Sequence, residues 1–227
     1  MPTLDSIALD LPRKIVIKQF GRTYAAIVSP ISEPLWLKYF DGLISTAERV
    51  GKEVVQRIDA TSAGIELVDS VAQFVEGYEA DPPLGHRLAV ANVLTSAFVP
   101  DQDMQGFGQI PLVAIWSANE GGSMRRHKDL IHTFKEPTAE QNRRYRRDDS
   151  RSQIVGGSRK GMTVYHGAQR ALAGLYDELI VSVEGYVVNG VPLEGSEAIA
   201  RHMDTYHKVA AAMQLFAPVL IDVEEED

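Results

Sequence analysis

Leu67-Val68-Asp69-Ser70-Val71, followed by Val75-Glu76-Gly77-Tyr78, returns later as Leu175-Tyr176-Asp177-Glu178-Leu179, followed by Val183-Glu184-Gly185-Tyr186. The two stretches stand at a constant offset of 108 residues. A chain that reuses a packing unit reuses its hydrophobic pattern, so a repeat of this kind sets the architecture to expect. Working outward, Glu33-Pro34 matches Glu136-Pro137 at an offset of 103, and His86-Arg87-Leu88-Ala89 matches His207-Lys208-Val209-Ala210 at an offset of 121. The changes in offset fall where loops belong. Residues 14–17 and 24–28 around Gly21 read as a hairpin, and residues 112–115 and 128–131 around Gly121-Gly122 read as another. These landmarks predict an α+β, predominantly helical fold with an internal duplication. Each of two similar lobes is a β-hairpin followed by about three helices. The first lobe covers 1–99, a connector 100–109, the second lobe with a basic loop 110–218, and an acidic tail 219–227.

Between the landmarks, Trp36, Phe40, Leu43, Ala47, Val50, Val54 and Ile58 recur at spacings of three and four, which predicts one long helix starting after Ser32. Leu67, Val71, Phe74 and Tyr78 predict a second helix ended by Gly77, and a third runs from about His86 to Phe98. In the second half, Thr138 with Gln141 forms a capping-box pattern opening a basic helix, Asn142-Arg143-Arg144-Tyr145-Arg146-Arg147. Residues 148–161 read as a loop. Helical spacing resumes from Tyr165 to Val183. Asn189-Gly190 marks a small hairpin, and a last helix spans about Ser196 to Phe216.

Composition bounds the chemistry. The chain has 227 residues and no cysteine, which excludes disulfides and thiolate chemistry. No apolar run reaches the roughly 18 residues that span a bilayer, and the start lacks the apolar core of a signal peptide; a soluble, cytoplasm-compatible protein is expected. The net charge of −8 is uneven: residues 125–160 carry eleven Lys and Arg against five Asp and Glu. The remainder is strongly acidic, including Asp222, Glu224, Glu225, Glu226 and Asp227, so nucleic acid is not the expected partner.

Candidate catalytic or ligand sites fail on spacing. His202 and His207 lie five apart, about 140° around a helix, unlike the four-residue spacing that converges two imidazoles on a metal. His127 and His132 share that spacing and fall on opposite faces of a strand. Gly156-Gly157-Ser158-Arg159-Lys160-Gly161 lacks the Walker spacing, and no Gly-x-Ser-x-Gly elbow is present. The sequence therefore predicts no enzyme, no catalytic residue, no cofactor and no metal. The candidate partner-binding residues are Trp36, Phe40 and Leu43 on the apolar stripe, and Arg143, Arg144, Arg146 and Arg147 in the basic helix.

The hairpin running into Phe134-Lys135-Glu136-Pro137-Thr138 and a helix bearing Tyr145 resembles tailed-phage tail assembly chaperones, with Ile31 to Pro34 as a weaker second copy. That resemblance implies a bacteriophage assembly factor without catalysis, binding a long helical tape-measure-type protein or a tail-tube protein through protein–protein contacts, and capable of forming an oligomer. A structural subunit of a phage tail or capsid, located in the virion, is the alternative. A nucleic-acid-binding accessory protein acting through the arginines is the second.

Overall fold

The computed structural model describes residues 6–50, 53–97, 108–118, 124–149, 153–158, 161–165 and 168–216. In chain order its elements are β1 (Ile7–Ala8), β2 (Arg13–Gln19), β3 (Arg22–Val28), α1 (Glu33–Asp41), β4 (Ile44–Val50), β5 (Glu53–Asp59), α2 (Thr61–Val71), β6 (Ala72–Glu76) and α3 (Leu84–Leu94). There follow β7 (Gln109–Ala118), β8 (Met124–Phe134), α4 (Ala139–Asp149), β9 (Gln153–Ser158), β10 (Gly161–Tyr165), α5 (Ala168–Leu179), β11 (Ile180–Glu184), β12 (Tyr186–Val188), β13 (Val191–Pro192), α6 (Ser196–His202) and α7 (Thr205–Leu215). The strands form one four-stranded sheet, β5-β4-β10-β9, and three three-stranded sheets: β2-β3-β6, β7-β8-β11 and β1-β12-β13.

This is a mixed α/β fold, and it overturns the predominantly helical expectation. Among the described residues, strands occupy as much of the chain as helices. The error lies mainly in residues 43–59. Their apolar residues keep helical spacing, yet Ile44, Thr46, Val50, Val54, Val55 and Ile58 are β-branched, and such side chains are stiff in helices and suit a pleated strand. The α1 helix stops at Asp41, capped by Gly42, and β4 and β5 pair antiparallel from Ile44↔Asp59 to Val50↔Glu53. Likewise the stretch read as a loop at 148–161 contains β9, which pairs with β10. The second and fifth helices end at Val71 and Leu179, and the chain continues as strands to Glu76 and Glu184. The last helix is broken in two at Met203-Asp204.

The expectation of two lobes, each a hairpin followed by about three helices, is overturned too. Strand β1 pairs in parallel with β12, with Ile7 N donating to Gly185 O at 2.7 Å. Strands β4 and β10, from opposite halves, pair antiparallel. A continuous buried cluster runs from Ile7 to Phe216 and includes Trp36, Leu67, Leu112, Leu175 and Ile199. Burial of each such large side chain contributes about 1.5–3 kcal/mol, and described residues of both halves share this one cluster. Of the expected connector only Gly108 and Gln109 are described, and the expected acidic tail lies outside the described residues.

The Val-Glu-Gly-Tyr segments do not end helices. Each closes a strand with a left-handed glycine, Gly77 at φ 81° and Gly185 at φ 84°. At Gly77 an added Cβ would stand 2.6 Å from Thr23 O and 2.8 Å from the Tyr24 ring, so the backbone passes too close to β3 for any side chain. The hairpin readings at 14–28 and 186–191 match the observed strands. Asn189 and Gly190 have φ 52° and 73°, the conformation a type I′ turn requires. At the tip of β2-β3, Phe20 takes φ 49° and is 92% exposed.

Candidate functional site

Helix α4 is built almost without apolar residues. Its formation rests on good helix formers (Ala, Glu, Gln, Arg) and on the predicted cap. Gln141 N donates to Thr138 Oγ1 at 3.2 Å, while Thr138 N donates to Gln141 Oε1 at 2.9 Å, so both groups of the capping box are satisfied. Glu140 in the first turn and Arg146 and Arg147 in the last complement the helix dipole.

One side of α4 is fixed to the body. Gln141 Nε2 and Arg144 Nη2 donate to the two oxygens of Glu178 on α5, at 3.2 and 2.6 Å. The hydrogen bond from Arg144 holds the Glu178 carboxyl below its ordinary range. Tyr145 stacks on Phe216, just after α7, with centroids 4.9 Å apart and planes 22° apart. At 100° per residue, Gln141, Arg144 and Tyr145 share one sector, while Arg143, Arg146 and Arg147 share the opposite one, with Glu140 at its margin. All three of those arginines are exposed. The result is a cationic helix face on a rigid mount, able to receive carboxylates or phosphates.

The other expected partner residues are placed differently. Trp36 is fully buried, Phe40 nearly so, and Leu43 half-buried against the core. The Trp36 indole N–H donates to Asp204 Oδ2 at 3.2 Å, and its ring packs on Tyr206 with centroids 5.1 Å apart. Asp204 Oδ1 accepts from Tyr206 N at 2.8 Å and so caps α7. These aromatics join α1 to α7 and pack the core; they offer no surface to a partner. Beside them lies a cleft of about 260 Å³ lined by Arg13, Glu33, Arg201 and Asp204 among others. Burial pushes the Arg13 guanidinium down to about 10, with Asp204 acting in the opposite sense. Charges of both signs line this cleft, so it presents no single-signed field to a ligand.

A buried polar chain joins histidines and tyrosines that spacing along the sequence does not bring together. His132 Nδ1 lies 2.8 Å from Tyr176 OH, His132 Nε2 lies 2.9 Å from Tyr186 OH, and Tyr186 OH lies 2.8 Å from His207 Nδ1. With both imidazoles neutral, each contact receives one proton if the bonds all run in one direction. The chain braces β8, α5, β12 and α7. Tyr78 OH, 2.9 Å from His86 Nδ1, makes the same tyrosine–histidine contact in the first half. Two ion pairs also correspond in sequence position: Arg87–Asp69 at 3.2 Å and Lys208–Asp177 at 2.7 Å. A readable signal existed, since the tyrosine of each Val-Glu-Gly-Tyr and each downstream histidine are among the landmarks. Nothing in one dimension showed that they touch.

Burial, and secondarily His207, push the His132 imidazole well below its ordinary value of 6.5. The folded state therefore keeps His132 neutral while the unfolded chain takes up a proton as pH falls through that value. Unfolding is favoured in acid, by up to about 1.4 kcal/mol per pH unit below about 6. Urea midpoints measured from pH 7.5 down to 5 should fall, and His132→Gln should flatten the slope. An unchanged slope in that variant would sink the assignment to His132.

No family model matches the chain, and no curated protein or solved structure matches it. Among the described residues, no helix is long and apolar enough to cross a membrane.

Proposed function

We propose that this protein is a non-enzymatic tail assembly chaperone of the tailed-phage kind. It holds a long helical tape-measure-type protein, or tail-tube subunits, in the host cytoplasm before assembly. The observation that carries the reading is the exposed sector of Arg143, Arg146 and Arg147 on a helix whose other side is fixed by Glu178 and Phe216. A pre-organised cationic face of this kind suits an acidic helical partner, because little ordering is left to be done on binding. The step from β8 through Pro137-Thr138 into α4, on which the resemblance rests, forms the base of this same helix.

In cells carrying the phage, the tagged protein should co-purify with a long helical protein. The R143A/R146A/R147A variant should recover about tenfold less of it, corresponding to about 1.4 kcal/mol spread over three surface charges. Equal recovery by the variant would remove α4 as the binding face. Abundance in purified mature particles would replace the chaperone with the structural-subunit reading. Salt-dependent DNA binding lost in the same variant would replace it with the nucleic-acid reading.

A further inference from the structure

We infer that the chain forms a two-fold dimer in which β5 pairs antiparallel with β5 of a second copy, joining two four-stranded sheets into one sheet of eight strands. The contact is independent of the assembly reading and goes beyond it.

An outer strand carries a row of N–H and C=O groups open to a partner, and folded proteins blunt such edges with lysine, proline, bulges or short length. Every outer strand of the described sheets but one carries such a device. Strand β2 holds Lys14 and Lys18, and β7 holds Pro111. Strands β1 and β13 are two residues long, and β13 ends in Pro192. The register of β6 shifts against β3, and that of β11 shifts against β8. Strand β9 has Gly156 as an extra residue between the pairs Met162↔Gly157 and Thr163↔Val155. Strand β5 has neither lysine nor proline, and it pairs with β4 over seven residues without a shift. Among the described residues no strand lies on its outer side.

The sequence of β5 selects a second copy as the partner. Val50 and Glu53 close the β4-β5 hairpin with two residues between them, so residues 53, 55 and 57 exchange backbone bonds with β4. Val54, Gln56 and Ile58 then direct their backbone N–H and C=O to the open side. Glu53-Val54-Val55-Gln56-Arg57 is complementary to its own reverse. Laid antiparallel on a second copy about Val55, it sets Glu53 opposite Arg57, Val54 opposite Gln56 and Val55 opposite Val55, and symmetry makes each unlike pair twice. The backbones of Val54 and Gln56 exchange hydrogen bonds. The Glu53–Arg57 and Val55–Val55 pairs fall at the other positions, where cross-strand neighbours stand closest. Moving the axis to Gln56 sets Glu53 opposite Asp59, a like-charge pair that disfavours that register. A two-fold contact of this kind is self-complementary and closes on itself, so it ends at the dimer.

Within the hairpin, Glu53 and Arg57 stand opposite Val50 and Thr46, so reversing either charge sets no like charge against it there. A contact of one strand pair is small and weak, so sedimentation should be followed up to about 500 µM, where the unaltered chain should approach twice its 25.0 kDa. E53R and R57E should each dimerise about tenfold more weakly, because two opposed pairs turn repulsive at once. An equimolar mixture of the two variants should regain the original affinity, since unlike charges again face each other at both positions. The double variant E53R/R57E should regain it as well, and either recovery shows that the altered chains fold. Because the chain has no cysteine, Val55→Cys should form a disulfide-linked dimer in air, its counterpart being within the roughly 4.4–6.8 Å that a disulfide spans. Ile58→Cys, about 20 Å from its counterpart, should stay monomeric on a non-reducing gel. A monomer at every concentration overturns the inference. So does a dimer indifferent to both charge reversals, a mixture no tighter than either variant alone, or equal cross-linking through Ile58→Cys.

Discussion

Replacing Trp36 by alanine should cost the fold about 4 kcal/mol, the usual loss for truncating a fully buried tryptophan. The indole is 0% exposed, packs against Tyr39, Phe40 and Tyr206, and donates to Asp204. Its removal leaves a cavity at the junction of α1 and α7 and takes one donor from the carboxylate that caps α7. Chemical denaturation at neutral pH measures the effect, with Phe20→Ala as the control. Phe20 is 92% exposed at a hairpin tip, and its truncation should change stability by less than about 0.5 kcal/mol. The pair also separates a packing role from the partner-anchor role that the apolar stripe suggested. A Trp36→Ala protein of near-normal stability that no longer held a partner would restore the anchor reading.

The second large effect should come from Asp177. Lys208 is 3% exposed, and its ammonium has two anchors, Asp177 Oδ1 at 2.7 Å and the Ala200 carbonyl at 2.5 Å. Asp177→Ala leaves a buried charge with a single carbonyl, and breaking such a pair from one side should cost about 3 kcal/mol. Lys208→Met removes the buried charge itself and fills a similar volume. It leaves Asp177, 36% exposed, to be hydrated, and should cost about 1 kcal/mol. Burial raises the Asp177 carboxyl above its ordinary value even against the opposing pull of Lys208, so at the carboxylate desolvation outweighs the attraction of the pair. The expected result is an asymmetry: the aspartate substitution destabilises more than the lysine one. Equal losses, or a larger loss from Lys208→Met, would show that the pair is not held as described.

Local chemistry was legible wherever a short-range rule applied. Gly21, the Asn189-Gly190 turn, the Thr138–Gln141 cap and the glycines of the two Val-Glu-Gly-Tyr segments all hold left-handed or capped conformations that their residue types announce, whereas the left-handed Phe20 is not announced by its type. The reading failed where two periods competed. Residues 43–59 carry apolar residues at helical spacing and β-branched residues at strand density, and the pairing of β4 with β10 from 115 residues away supports the strand. The partner residues divided in the same way. Arg143, Arg146 and Arg147 are exposed as a basic helix should leave them, whereas Trp36 and Phe40 were open to either reading until α7 covered them.

The sequence by itself determined the turns, the caps, the charge asymmetry and the basic face of α4, because each depends on residues within one or two helical turns of one another. Only the tertiary structure decided that the fold is mixed α/β and that described residues of both halves share one buried cluster. The same holds for the buried chain of His132, Tyr176, Tyr186 and His207, and for the covered position of Trp36. Those outcomes depend on which distant surfaces exclude water together. A hydrophobic pattern shows which residues seek burial, and it leaves open what will bury them.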